Sequence, residues 1–318
     1  MSEVAAPTIE RRRLSGSART FSRVTIAVDP PPTAAPALDA RTVALLQRAR
    51  ALGVTTFDVA STRSPARAER LIAQAFPEDD PEVSVIVGRS FESLVREGSA
   101  QMEPVAESAP GAALAESLEQ SRRRLAPVPI AVVDWKPGGE KETGDPTRVR
   151  VVSTPEEEKS GILWSVRIDP GVSSLPSAES GPVLFSGGLS LLDPALIPLF
   201  ESATGTEERN LIARDPFSSG RLDGSRFATR SSLAGPGAPP VDLRQLHEEF
   251  DPVLRLGFLT EGHRRTLAQA ALQFVLHWRW VVTTVVPLPS PERFDEVLGF
   301  GTRPSISPEE MERLALVK

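Results

Sequence analysis

The chain has 318 residues, 40% of them hydrophobic and 25% charged, so it can bury the core of one large α/β domain spanning residues 1–318. Its formal net charge of −6 argues against electrostatic binding to nucleic acid or to an anionic membrane. The absence of cysteine excludes disulfides and thiolate ligands, and no apolar run is long enough for a membrane span. We therefore expect a single-domain cytoplasmic protein that binds neither nucleic acid nor membranes.

Short apolar runs alternate with helical patterns along the chain, after about twenty residues that predict a strand pair or a tail. The apolar runs are too continuous for half-exposed strands and predict buried ones at Arg23–Val28, Val54–Ala60, Val83–Gly88, Pro129–Asp134, Ile162–Ile168, Val183–Ser186, Asn210–Asp215 and Val281–Pro287. Apolar positions at helical spacing predict helices at Leu38–Leu52, Pro65–Phe76, Ala112–Leu125, Pro194–Ser202 and Thr266–Trp278. Strands alternating with helices indicate a parallel sheet, and eight such units predict a (β/α)8 TIM barrel.

Two connections depart from this rhythm. Residues 137–161 and 170–182 are rich in Pro, Gly, Ser and charged residues where covering helices should follow strands four and five. We expect those outer helices to be eroded. Since exposed apolar surface commonly marks an interface, we also expect a protein partner or a second copy of the chain on the flank of strands four to six.

Several blocks, in order between about residues 10 and 300, resemble the aldo-keto reductases. The most specific is LGVTTFDVA at Leu52–Ala60, which is similar to the family's Gly-x-x-x-hydrophobic-Asp-x-Ala block. DPFSSGRLDG at Asp215–Gly224 matches the family's turn after strand seven, and Thr266–Leu276 with Val285–Pro287 resembles its last helix and strand. The resemblance implies a TIM barrel and NADPH-dependent reduction of a carbonyl.

The family's chemistry needs an Asp, a Tyr, a Lys and a His at the C-terminal ends of neighbouring strands, with the phenol delivering the proton. Asp58 fits the acidic position. The lysine position falls on Arg89, and the histidine position falls on Trp135, or on Lys136 if the preceding loop is not shortened. The tyrosine position falls within Ser61–Ser64, and the chain contains no tyrosine at all. The resemblance therefore implies a reductase barrel without its proton donor.

The family's cofactor positions are also altered. They fall on Asp169, Ser186, Arg214, Ser290 and Glu296, of which only Glu296 keeps the family's residue type, while Val297 replaces its Asn partner. Proline next to Asp169 and before Ser290 removes backbone donors. We expect no bound cofactor, with NADPH as the alternative.

Structural interpretations compete with functional ones at these positions. We favour Asp58 as a strand-end carboxylate paired with Arg89 across adjacent strands, rather than as a surviving acid. Trp135 is equally consistent with packing and with a stacking platform. Asp169, Arg214 and Asp215 either form a new polar ligand site or, as we favour, are solvated strand ends and salt bridges. His247, His263 and His277 lack metal-ligand spacing.

The sequence thus predicts an aldo-keto reductase-like barrel that is catalytically degenerate and acts by binding a small molecule or a protein. One alternative is a divergent NADP-dependent oxidoreductase that reduces a carbonyl. Another is a barrel lyase or isomerase that uses Asp58 and Arg89 without a nicotinamide. The fold alone does not decide among the three.

Overall fold

We describe the protein from a computed structural model. The described residues are 9–31, 35–78, 80–90, 110–136, 162–175, 183–202, 209–226 and 243–317. Within these ranges no helix is long and apolar enough to cross a membrane.

Eight parallel strands close into a barrel, which confirms the predicted fold. In chain order they are β3 (Val24–Ala27), β4 (Thr56–Asp58), β5 (Ser84–Ser90), β6 (Ile130–Lys136), β7 (Leu163–Arg167), β8 (Val183–Gly188), β9 (Arg209–Arg214) and β10 (Val281–Pro287). Each strand pairs with the next, and β10 pairs with both β9 and β3. The eight strands correspond one to one to the eight predicted runs.

An antiparallel hairpin, β1 (Arg11–Arg13) and β2 (Thr20–Ser22), precedes the barrel, as the strand-pair interpretation predicted. Leu14 and Phe21 of the hairpin are 1% exposed and join the cluster of side chains that fills the barrel interior. The amide of Ser15 donates to Asn210 Oδ1 at the start of β9 (3.2 Å). The hairpin therefore closes the N-terminal end of the barrel and leaves the opposite end as the mouth.

The helices lie outside the strands. They are α1 (Pro36–Ala51), α2 (Pro65–Ala75), α3 (Pro110–Leu125), α4 (Leu196–Glu201), α5 (Leu243–Leu254), α6 (Leu267–His277), α7 (Phe294–Leu298) and α8 (Pro308–Leu316), with 3₁₀ turns at Gly257–His263 and Phe300–Thr302. The five predicted helices are confirmed within two residues at each end, whereas α5, α7 and α8 were not predicted. The prediction of eroded outer helices concerns residues 137–161 and 170–182. Most of these residues lie outside the described ranges, so it stays a prediction.

Strand alternation sorts the core into two shells. Inside the barrel lie Ile86, Val132, Leu184, Ile212 and Val282, and beneath the helices lie Val85, Val87, Val133, Phe185 and Leu211. Because successive residues of a strand point to opposite faces, the next inward positions towards the mouth are Gly88 on β5, Asp134 on β6 and Arg214 on β9. The same alternation places Arg89 and Trp135 on the outward side of the barrel, facing away from the polar side chains of the interior.

Candidate functional site at the barrel mouth

The mouth is built from polar side chains that end five strands. They are Asp58 on β4, Asp134 on β6, Ser165 and Arg167 on β7, Ser186 on β8 and Arg214 on β9. Below them the interior is apolar or threonine-lined, with Thr25 and Thr283 joined through their hydroxyls (2.8 Å). The polar layer is therefore confined to the C-terminal end, where barrel enzymes place their chemistry.

Asp58 pairs with Arg214. Arg214 Nη2 lies 2.8 Å from Asp58 Oδ2, and Nη1 donates to Oδ1 at 3.3 Å. Asp58 is 1% exposed and the Arg214 side chain 11% exposed, so this is a largely desolvated ion pair. The predicted pairing of Asp58 with Arg89 is wrong. Arg214 does form salt bridges, as we favoured, but it is largely buried and not solvated, because its side chain reaches across the barrel interior.

Asp134 is the central acceptor of the mouth, and sequence reasoning missed it. Its carboxylate accepts from Ser165 Oγ (2.9 Å) and Ser186 Oγ (2.6 Å), from Arg167 Nε (3.1 Å) and Nη2, and lies 2.9 Å from Arg214 Nη2. Asp134 and Lys136 are the inward positions at the end of this strand, whereas Trp135 is half-buried on the outward side. The alternation from Val132 was the signal that would have found Asp134.

The ionisation of the network follows from its geometry. Burial alone raises the pKa of the Asp134 carboxyl, but the Arg214 and Arg167 guanidiniums and the Ser186 hydrogen bond outweigh it and hold that pKa below its ordinary value. Burial alone lowers the pKa of the Arg214 guanidinium, and the carboxylates of Asp58 and Asp134 reverse the direction and raise it. Asp134 and Arg214 are therefore both charged at neutral pH, and neither supplies or accepts a proton readily.

Arg89 belongs to a different, outer network. Its Nη2 donates to the Ser117 carbonyl (3.0 Å) and to Ser121 Oγ (2.5 Å) on α3. Ser121 in turn donates to Glu69 on α2 (2.5 Å), a fully buried carboxylate that also accepts from Arg124 (2.5 Å). Arg89 thus ties β5 to the two helices that cover it. It does not share a site with Asp58.

The inward position of β5 next to Arg89 is occupied by Gly88. A Cβ atom placed on Gly88 would lie 2.6 Å from the Ala60 Cα and 2.9 Å from the Ala60 carbonyl carbon. Both neighbours are backbone atoms, which cannot turn aside as a side chain can. The backbone therefore leaves no room for a lysine, or for any side chain, at this point of the mouth.

The stretch that matches the family's tyrosine position holds only short hydroxyls and one arginine. Ser61 Oγ accepts from Arg214 Nη1 (3.3 Å) and lies within 3.4 Å of Arg167 Nη2. Thr62 Oγ1 and the Arg63 amide both donate to Asp29 at the rim (2.8 and 3.0 Å). No group here has the lowered pKa of the family's phenol, because each of these is an alcohol, an amide or a guanidinium.

The cofactor positions divide into two groups. Ser186 and Arg214 are brought together with Asp58 and Asp134, as described above. Asp169 and Ser290 are exposed, on the loops after β7 and β10. Glu296 is half-buried, accepts from Arg293 Nε (3.2 Å) and lines an outer cavity of about 310 Å³ between α6 and α7.

The turn after β9 has a strained backbone. Asp215, Ser218 and Ser219 have φ values of 53°, 51° and 57°, in the left-handed region that L-residues seldom adopt. The Ser219 amide donates to Asp215 Oδ1 (2.6 Å), and burial raises the pKa of the Asp215 carboxyl. Asp215 is an exposed residue directly after the end of β9, and its carboxylate accepts from the turn that follows.

The strands close into a (β/α)8 barrel, and its fold is similar to that of several solved aldo-keto reductases. A thermostable aldo-keto reductase in complex with the inhibitor epalrestat superposes with a TM-score of 0.68 at 17% identity, covering 97% of this chain and 100% of that one. The holo form of an aldo-keto reductase from Bacillus halodurans gives 0.62 at 16% identity, with 97% and 96% covered. Glycerol dehydrogenase from Gluconobacter oxydans gives 0.61 at 16% identity, with 99% and 95% covered.

At these identities the likeness concerns the fold. No family model and no curated protein matches the sequence. The similarity nevertheless runs over nearly the whole chain, as the ordered sequence blocks indicated. The residues that differ at the mouth therefore stand on a barrel of the reductase type.

Proposed function

We propose that this protein is an aldo-keto reductase-like barrel that does not reduce carbonyls and acts by binding a small ligand at its mouth. The observation that carries the proposal is the Arg214 guanidinium, which contacts Asp58 and Asp134 and spans the interior between them. The resemblance gives Asp58 the acidic position of the family's catalytic set, and Asp134 stands next to Trp135, which matches the histidine position. Here Asp58 and Asp134 form a neutralised structural network instead.

Carbonyl reduction needs a group that gives a proton to oxygen. The described mouth offers serine hydroxyls, guanidiniums, two ion-paired carboxylates and, at the rim, the exposed Lys136. The pKa of Asp134 is held low by its arginine neighbours. The three histidines lie away from the barrel interior, in α5, in the 3₁₀ turn before α6 and at the end of α6. Since positioned acid-base groups contribute about 10²–10⁴-fold in rate, their loss supports a non-reducing role.

NADPH does not fit the residues that stand at its expected positions. Arg214 takes the inward place at the end of β9 and is held by two carboxylates, and Val297 stands where the family has the Asn partner of its acidic residue. The exposed Asp169 is followed by a proline, which has no amide to offer the nicotinamide. We therefore derive no step through this cofactor.

A fluorescence titration tests the proposal, because the chain contains four tryptophans whose emission reports binding. We expect no saturable NADPH binding at micromolar concentration and no NADPH oxidation with a simple aldehyde. Losing several charge-assisted contacts of about 1.5–3 kcal/mol each accounts for that expectation. Saturation in the low micromolar range, together with aldehyde reduction, would make the proposal wrong.

That contrary result would support a second function, NADP-dependent reduction of a carbonyl. The observation in its favour is the full-length likeness to reductases, one of them in its holo form. The lyase or isomerase alternative is weakened, because Arg89 faces Ser117 and Ser121 on the outer side and does not stand beside Asp58.

We also propose that a protein partner, or a second copy of the chain, binds to the flank of the barrel formed by β6 to β8. Leu175 on this flank is only 8% exposed, and Val172 packs against the core. A charge at Leu175 would therefore test folding rather than association. The direct measurement is the mass of the wild-type protein in solution, and a monomer that captures no partner would speak against an interface.

A further inference from the structure

The charges at the mouth are ordered by depth. Asp58 and Asp134 are each 1% exposed, whereas the side chains of Arg214 and Arg167 are 11% and 23% exposed. Lys136 lies two residues beyond Asp134 on β6, at the next inward position, and is exposed. Within this network the cations therefore lie nearer the opening than the two carboxylates that compensate them, while Asp29 and Asp169 are exposed carboxylates elsewhere on the rim.

The hydrogen-bond donors of the two arginines are unequally used. Arg214 commits Nη1 to Asp58 and Ser61, and Nη2 to Asp58 and Asp134. Arg167 commits Nε and Nη2 to Asp134, and Nη2 also reaches Ser61. Among the residues that the structure describes, Arg167 Nη1 has no hydrogen-bond partner. Arg167 thus presents a free pair of N–H donors on the more exposed side of the network.

The contacts of Ser61 show what kind of atom fits between the guanidiniums of Arg214 and Arg167. Its hydroxyl oxygen lies 3.3 Å from Arg214 Nη1 and 3.4 Å from Arg167 Nη2. An oxygen acceptor therefore already stands between the two guanidiniums. An ionised oxygen would bind there more strongly than a neutral hydroxyl, since charge-assisted hydrogen bonds are about twice as strong.

We infer that the mouth binds the oxyanion group of a small ligand, a carboxylate or a phosphate, through Arg167 Nη1 and Lys136 at the rim beside Ser61. The inference rests on the proposed binding function. Guanidinium presents paired donors that match two oxygens, and an ammonium adds a point charge. A cationic ligand does not suit this opening, because the carboxylates lie below the arginines and are already paired with them.

The test is calorimetric titration of the full chain at low ionic strength. Succinate and inorganic phosphate serve as probes for the two sources of oxyanion, and succinamide is the neutral match for succinate. We expect at least one anion to bind with a dissociation constant on the order of 1 mM or below, and succinamide not to bind. Added salt should weaken the binding, because partly exposed charges are screened.

Two substitutions test whether the anion binds at Arg167 and Lys136. Arg167→Gln and Lys136→Gln should each raise the dissociation constant of the bound anion about tenfold, the effect of losing one charge-assisted contact. Arg123→Gln on α3, which removes an exposed arginine 76% accessible to solvent, is the matched control and should leave binding unchanged. Lys136 is exposed, so its variant stays informative even if Arg167→Gln fails to fold.

Two results would overturn the inference: the absence of saturable binding for both anions, or equal binding by wild type, Lys136→Gln and Arg123→Gln. Succinate binding that tolerates all three substitutions would place the anion elsewhere on the protein. The proposed function fails separately, through NADPH saturation with aldehyde reduction. If only the anion titrations fail, the anion inference is wrong and the proposed non-reducing role is unaffected.

Discussion

Arg214 on β9 and Asp58 on β4 contact each other across the barrel interior, with 2.8 Å between Nη2 and Oδ2. Two strands, β10 and β3, separate their own strands on one side of the barrel. On the other side, β7 and β8 separate Arg214 from Asp134 on β6, its second carboxylate at 2.9 Å. One guanidinium thus links three strands that have no direct hydrogen bonds to one another, at the C-terminal mouth of the barrel.

Asp58→Asn should lower the free energy of unfolding by about 3 kcal/mol, because the substitution leaves a buried guanidinium with one carboxylate instead of two. A pair with Arg89 at a solvated rim would have cost only about 1 kcal/mol. Urea unfolding at pH 7 measures the difference. Asp29→Asn is the control, since Asp29 pairs with Arg63, whose side chain is 71% exposed, and should change stability by less than about 1 kcal/mol.

An Asp58→Asn cost no larger than that of Asp29→Asn would mean that the cross-barrel pair adds nothing to stability. In that case Asp58 would be free for another role. An activity that disappears in a normally folded Asp58→Asn variant would support the repurposed-enzyme alternative instead.

The stabilisation that Asp134 provides should depend on pH. Its folded-state pKa is lowered by Arg214 and Arg167, so its contribution is complete above the unfolded-state pKa of about 3.9. The contribution decreases as the pH falls below that value towards the folded-state pKa. The stability difference between wild type and Asp134→Asn, measured by urea unfolding from pH 7 to pH 3, should therefore shrink at the acid end. A difference that stays constant would show that hydrogen bonding, and not charge, carries the effect.

The sequence predicted the barrel because strand and helix periods are local properties. Eight continuous apolar runs identified all eight strands, including β4, of which only Thr56–Asp58 is regular. The mouth was predicted less well, because its contacts cross the barrel. Asp58 was found, but its partner stands 156 residues later in the chain, and no local pattern pairs the two.

The misplacement of Arg89 and Trp135 has a simple physical reason. A shift of one residue along a strand moves a side chain to the opposite face. Matching by motif tolerates such a shift, and it assigned the outward neighbours of Gly88 and Asp134. The alternation from Ile86 and Val132, both buried inside the barrel, fixes the register correctly.

Gly88→Ala should lower the free energy of unfolding by roughly 1–3 kcal/mol, because its new methyl group would press on the Ala60 backbone and the neighbouring strand would have to shift. Gly188→Ala is the matched control on β8, where a Cβ atom would meet nothing within 4 Å. That variant should be near neutral. If Gly88→Ala is tolerated as well as Gly188→Ala, the segment after β4 is free to move, and a lysine at this position is not excluded.

The outer network should contribute to folding without affecting the mouth. Glu69 is fully buried and accepts from Ser121 and Arg124, so Glu69→Gln removes the negative charge that Arg124 faces and should cost about 2–3 kcal/mol in unfolding free energy. Glu119→Gln on α3 is the control, because Glu119 pairs with Arg122 and Arg123 at the surface and should cost no more than about 0.5 kcal/mol. Urea unfolding compares the stability of the variants.

Calorimetric titration with succinate and phosphate measures anion binding at the mouth in the same variants. Since α2 and α3 pack outside the barrel, we expect anion binding to be unchanged in any Glu69→Gln protein that folds. A weakened anion affinity in that variant would mean that the outer network positions the mouth through β5, and the two networks would then have to be treated as one.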